Sequence, residues 1–207
     1  MIIKAIPLGN LGANFYLIKD EETNDIFAID PGAEADVAVN AINELNGNLR
    51  YIILTHAHVD HICALDEVKK CYDVPVVIHE MEASALNDTS VNLCFLLGEK
   101  CPVTCADIAV KDAQTLPFGS SQIEFIHTPG HTKGSMCILY SDALFSGDTL
   151  FSGSIGRTDF PGGSLEEISA SIKSKLYTLP SETQIYPGHG EKTTVKYEKQ
   201  NNPFVRG

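Results

Sequence analysis

The chain has 207 residues, enough for one large domain or two small ones with a buried core. Apolar residues make up 43% and charged residues 20%, ordinary globular usage that excludes a disordered profile. Against 15 basic residues stand 27 acidic ones, a net charge of −12 that repels phosphate backbones, so nucleic acid is not an expected partner. In chain order, Met1 to Gly9 lacks a basic region followed by a long apolar run and reads as a first strand, Ile2–Pro7, not as a signal peptide. Strands at Phe15–Ile18 and Ile26–Ile29 follow, separated by turns rich in Gly, Asn and Asp, and Asp30-Pro31-Gly32 stops the third. Val37, Ala41, Ile42 and Leu45 recur at helical spacing over Ala35–Leu45. The continuous run Tyr51–Thr55 has the pattern of a strand buried on both faces.

The alternation continues: a helix over Ile62–Cys71, a strand over Val74–Ile78, a short helix over Glu80–Leu86. No pattern assigns residues 87–120. Strands come next at Gln122–His127, Met136–Tyr140 and Ala143–Phe145. Ser164-Leu-Glu-Glu167 reads as a capping box opening a helix through about Leu176. A last strand, Gln184–Tyr186, precedes a helix near Lys192–Lys199. With no repeat, linker or low-complexity stretch, a single domain over residues 1–207 is expected. No window approaches 18 apolar residues, so no membrane span is expected. Six cysteines without a secretion signal read as reduced thiols and point to the cytoplasm.

The segment Thr55-His56-Ala57-His58-Val59-Asp60-His61 carries the chemistry. In extended backbone His56 and His58 point the same way, and Asp60 and His61 can turn back toward the same point. Four ligand-type side chains within six residues can surround two metal ions, and chance supplies such a motif only about 5 × 10⁻⁴ times in a chain of this composition. Three more segments repeat one arrangement, a strand, a Gly-containing turn, then His or Asp: Thr128-Pro-Gly-His131-Thr132, Ser146-Gly-Asp148-Thr149 and Tyr186-Pro-Gly-His189-Gly190. Glycine permits the sharp turn and close backbone approach that present a ligand at a strand end. Five of the seven histidines fall into this pattern. His79 and His127 read as strand-end residues outside it. Cys94, Cys101 and Cys105 do not have the spacing of a structural zinc knuckle, and Phe95–Leu97 fits either core packing or a pocket wall.

These four segments, in this order and spacing, resemble the metallo-β-lactamase superfamily. The resemblance implies an α/β fold, an αβ/βα sandwich of two mixed sheets face to face with helices outside. It also implies a ligand set: His56, His58 and His131 for a first metal, Asp60, His61 and His189 for a second, and Asp148 bridging both. Imidazole and carboxylate donors without thiolate suit Zn²⁺, with Fe or Mn as alternatives.

Within the superfamily the chain looks like the short glyoxalase II (hydroxyacylglutathione hydrolase) type. True β-lactamases of this fold lack a bridging Asp such as Asp148, and flavo-diiron reductases replace the position of His58 by Glu. Gly156-Arg157 after the bridging position and the tail Thr194…Glu198…Asn202-Pro203-Phe204 also match the glyoxalase II type. The implied reaction is hydrolysis of a small acyl thioester, S-lactoylglutathione or a related compound, by a metal-bridged hydroxide. Asp60 would orient the hydroxide, and Arg157 and Asp159 would either orient ligands and substrate or fix their own loop. The long enzymes' C-terminal glutathione-binding region has no counterpart before Gly207. Persulfide dioxygenases, which use one iron, and nucleic-acid-processing hydrolases share most of the motif and stand as alternatives.

Overall fold

A computed structural model of the chain describes residues 1–98 and 102–207, apart from the side chain of Leu97; Cys101 lies outside the described residues. The chain divides into two compact units, residues 1–110 with 117–122, and residues 111–116 with 123–207.

The first unit is built on a six-stranded sheet. Its strands are β1 (Ile2–Leu8), β2 (Ala13–Lys19), β3 (Asp25–Ile29), β4 (Asn48–Ile53), β5 (Val76–His79) and β6 (Ile108–Val110), side by side in that order. The first three pair antiparallel and the last four parallel, so the sheet is mixed. Parallel neighbours need crossovers. Helix α1 (Ala35–Glu44) supplies the one from β3 to β4, and it buries Ala38, Ala41 and Ile42. Two short helices, α2 (Val59–Ile62) and α3 (Leu65–Cys71), lie on the way to β5 where one was expected; Cys63 and Ala64 separate them. The expected helix over Glu80–Leu86 is a 3₁₀ turn, Ala83–Asn87, followed by α4 (Cys94–Leu97). Phe15, Leu17, Ile52, Leu54, Ile62 and Leu65 are among the core side chains.

The second sheet runs β14-β13-β10-β9-β8-β7. Its strands are β7 (Thr115–Phe118), β8 (Ser121–His127), β9 (Met136–Tyr140), β10 (Ala143–Gly147), β13 (Gln184–Pro187) and β14 (Thr193–Thr194); β11 (Leu150–Phe151) and β12 (Ser154–Ile155) form a separate ribbon. It too is mixed, since β10 pairs parallel with β13 and antiparallel with β9. Helix α5 (Leu165–Ser174) buries Ile168 and Ile172, four apart, into a core with Leu144 and Ile185. Ser164 caps it by accepting the Glu167 N–H. The return half of the expected capping box is replaced, because the Ser164 N–H donates to the Gly130 carbonyl. The last helix, α6 (Val195–Asn201), starts three residues later than expected and is capped by Thr194, whose hydroxyl accepts the Tyr197 N–H. Two mixed sheets with helices are the class expected from the sequence. Among the described residues, no helix is long and apolar enough to cross a membrane.

Candidate metal centre

The first unit brings together His56, His58, Asp60 and His61. The parallel pairing of β3 and β4 continues one residue past the end of β3, with the Asp30 N–H donating to the Ile53 carbonyl at 3.1 Å. That places the Asp30 carboxylate beside Thr55. Its Oδ1 accepts the Thr55 N–H at 2.8 Å, and its Oδ2 accepts the Thr55 hydroxyl at 2.6 Å and His61 Nδ1–H at 2.8 Å. A carboxylate can only accept, so the His61 proton sits on Nδ1 and Nε2 is left as the ligand nitrogen. The same logic passes through Thr55: its one proton goes to Asp30, so its oxygen accepts from His56 Nδ1, 3.0 Å away. Asp30 thus orients two imidazoles, one directly and one through a hydroxyl.

The ring of His56 lies 4.7 Å from that of His58 and 4.2 Å from that of His61, centroid to centroid, and all three rings are buried. His61 Nε2 stands 3.8 Å from Asp60 Oδ2. Gly32 has to be glycine, because a Cβ there would meet the Asp60 carbonyl oxygen at 1.7 Å. Beside Asp60 opens a cavity of about 600 Å³, lined by Leu11, Glu34, Val59, Cys63 and Glu67 among others.

The second unit brings together His131, Asp148 and His189. His131 follows β8 through a turn closed by the Thr128 N–H donating to the Ser135 carbonyl at 2.8 Å. Asp148 follows β10, and His189 follows β13. The Gly188 N–H donates to the Gly147 carbonyl at 2.8 Å, so the two strand ends arrive together. Asp148 Oδ2 lies 3.6 Å from His131 Nε2 and 3.7 Å from His189 Nε2. His131 Nδ1–H donates to the Arg157 carbonyl at 2.7 Å, which again directs Nε2 to the cluster. Gly156 is required there, since a Cβ would meet the Asp148 carbonyl oxygen at 1.8 Å.

The spacings within each cluster discriminate between a hydrogen bond and a shared ion. Distances of 3.6–3.8 Å are too long for an N–H···O bond. Two ligands about 2.0–2.2 Å from one tetrahedral ion stand about 3.4 Å apart, close to what both units present. The donor set therefore fits a metal, and all seven sequence-derived ligands fall into one cluster or the other.

Arg157 and Asp159 form an exposed bidentate pair, both contacts at 2.8 Å, and the guanidinium stacks on Phe160 at 3.7 Å. The hydrogen bonds from Arg157 hold the Asp159 carboxyl down at about 2. The side chain of Arg157 is thus engaged within its loop, and its carbonyl is the group that reaches a ligand. His79 is buried at the end of β5, accepting the Met81 N–H, and His127 bonds the Lys133 carbonyl. Phe95 and Leu96 are exposed and not core. Among the described residues, Cys63, Cys71, Cys94, Cys105 and Cys137 form no disulfide. Asp30 and Thr55 were not singled out from the sequence; the available signal was an Asp ending a strand beside the one that leads into the His motif.

The Metallo-beta-lactamase superfamily profile matches residues 8–189. The chain belongs to the metallo-β-lactamase superfamily. It is 40% identical over 207 residues to the probable metallo-hydrolase YqgX of Bacillus subtilis, covering 99% of this chain and 97% of that protein. It is 33% identical over 216 residues to the hydroxyacylglutathione hydrolase GloC of Haemophilus influenzae, covering 99% and 98%. Among solved structures, BLEG-1 B3 metallo-β-lactamase superposes with a TM-score of 0.94 at 36% identity over all of both chains. TTHA1623 in a di-iron-bound form gives 0.86 at 32% over 98% of this chain and 100% of that one. ETHE1 from Myxococcus xanthus gives 0.82 at 30%, covering 98% and 84%. The chain is thus a metal-dependent hydrolase of the metallo-β-lactamase superfamily, with a His/Asp metal-binding donor set.

Proposed function

We propose that this chain hydrolyses small acyl thioesters with a pair of divalent metal ions, Zn²⁺ being the expected metal. In this reading His56, His58 and His131 would hold one ion and Asp60, His61 and His189 the other, with Asp148 shared between them. The observation that carries it is the donor set: five imidazoles and two carboxylates, with Asp148 set 3.6–3.7 Å from two histidines. Similarity to a hydroxyacylglutathione hydrolase supports the choice of thioester. When bound, such a pair supplies a hydroxide at neutral pH and a Lewis acid for the carbonyl oxygen. The protein's part is orientation. Asp30, Thr55 and the Arg157 carbonyl fix three imidazoles, and Asp60, which lines the cavity, would orient the attacking oxygen. A departing thiolate needs no strong acid, whereas an amide nitrogen does, and the donor set offers no dedicated acid.

The test is metal analysis of the purified protein together with rates on S-lactoylglutathione, a thioester without glutathione, a matched amide and a β-lactam. About two metal equivalents are expected, with thioesters cleaved far faster than the amide. A β-lactam cleaved faster than either thioester would overturn the thioester reading. A single tightly bound iron with no second site would support sulfur oxygenation instead.

A further inference from the structure

The loop that carries His56 and His58 is held by its backbone as well as by its side chains. His58 is extended, with φ −68° and ψ 149°. Along extended chain, residues two apart share a face and their N–H groups share an edge. The histidines therefore take one face, and the Ala57 and Val59 N–H groups leave from one edge. The Ala57 N–H donates to Glu82 Oε1 at 3.1 Å, and the Val59 N–H donates to the Asn92 carbonyl at 2.8 Å. Neither acceptor lies in a strand. Glu82 precedes the 3₁₀ turn and Asn92 precedes α4, so irregular chain supplies the two acceptors that a neighbouring strand would give.

Both acceptors are fixed in turn. The Glu82 N–H donates to the His79 carbonyl at 2.9 Å. The Asn92 amide donates to the Leu86 carbonyl at 2.9 Å and accepts the Cys94 N–H at 3.1 Å. Glu82 is 2% exposed and Asn92 fully buried. Burying a carboxylate is expensive, so placing one on the backbone N–H between two candidate ligand histidines calls for a role.

We propose that Glu82 is a positioning residue: with the Asn92 carbonyl it sets the Ala57–Val59 backbone, so that His56 and His58 are in ligand geometry before any metal arrives. This rests on the metal reading above. The test is competitive Zn²⁺ titration of the metal-free full chain and two variants. Glu82→Gln keeps an acceptor oxygen at the same reach and removes the charge. Glu82→Asp keeps the charge and falls one methylene short. Glu82→Gln should bind two ions with affinities within about 3-fold of the original, and Glu82→Asp should bind about 10- to 100-fold more weakly. Ile172→Val, a destabilising change in the second unit's core, should leave affinity unchanged. In the metal-free original protein, the Ala57 and Val59 amides should be protected from hydrogen exchange, a readout that needs no variant to fold. Unaltered affinity in Glu82→Asp, equal losses in Glu82→Gln and Glu82→Asp, loss in Ile172→Val, or freely exchanging amides would each overturn the proposal. An original protein that takes up no ion overturns the metal reading and this proposal together. One that binds two ions with Glu82→Asp unaltered overturns this proposal alone.

Discussion

Asp30 makes three contacts with two residues of the ligand loop, so its replacement isolates orientation from ligation. Asp30→Asn suits the backbone, because Asp30 has φ 55°, a conformation asparagine tolerates well. It puts an NH₂ donor where Oδ1 or Oδ2 now accepts. Metal affinity should fall about 10- to 100-fold with the seven ligands intact, measurable by chelator competition. Loss of a ligand itself should be graded by how many ions it serves. Asp148→Ala should remove both ions and cut activity by more than about 100-fold, while His189→Ala should leave about one metal equivalent bound. Equal metal content in Asp148→Ala and the original protein would refute the bridging assignment. The proposed ligands were legible from sequence because His56, His58, Asp60 and His61 form one short motif past a strand, and His131, Asp148 and His189 each follow a strand and a glycine turn. Asp30 was not, because its role depends on a register that sets it beside Thr55, 25 residues away. Glu82 has no local signature at all.

Elements were legible where one hydrophobic period persisted. Helices α1 and α5 lie within two residues of their expected bounds, since apolar residues four apart meet a core. The stretch from 59 to 71 was read as one helix with a late start, because its apolar pattern does not reveal the turn at Cys63 and Ala64. Residues 87–120 carry no period, because side-chain anchors and not apolar faces hold much of that stretch in place. Asp66 on α3 is one such anchor, accepting the Val103 and Thr104 N–H groups at 2.9 Å. Burial pulls its carboxyl upward, but the Thr104 hydroxyl and these amides outweigh that and lower it. A lowered folded value means that the contribution to stability is complete above the unfolded value of about 3.9 and is lost as pH falls through the folded one. At pH 7, Asp66→Asn should melt about 3–6 °C below the original protein, and the gap should close as pH falls below about 4. A gap that stays constant from pH 7 down to pH 2 would show that the carboxylate charge is not what holds the 103–104 segment.

At the scale of the whole molecule, the fold was legible because four motifs in order span most of the chain, whereas the carrier of the proposed thioester was not, because a carrier is recognised by surface that no motif marks. Charge is the best guide to it. The chain carries −12, and among the described residues the cavity beside Asp60 is lined by Glu34 and Glu67 with no Lys or Arg. Glutathione brings two carboxylates and one ammonium, so S-lactoylglutathione approaches as an anion and should show a high KM. Raising ionic strength from about 0.01 M to 0.15 M shortens the screening length from about 30 Å to 8 Å. Repulsion should weaken accordingly, and kcat/KM for S-lactoylglutathione should rise about two- to fivefold, while that for a neutral thioester stays flat. The comparison cancels any effect of salt on the reaction itself, because both substrates present the same thioester. If salt instead slows S-lactoylglutathione, or its KM is micromolar, a local basic surface must gather the carrier against the net charge, and glutathione then becomes the carrier this chain is built for.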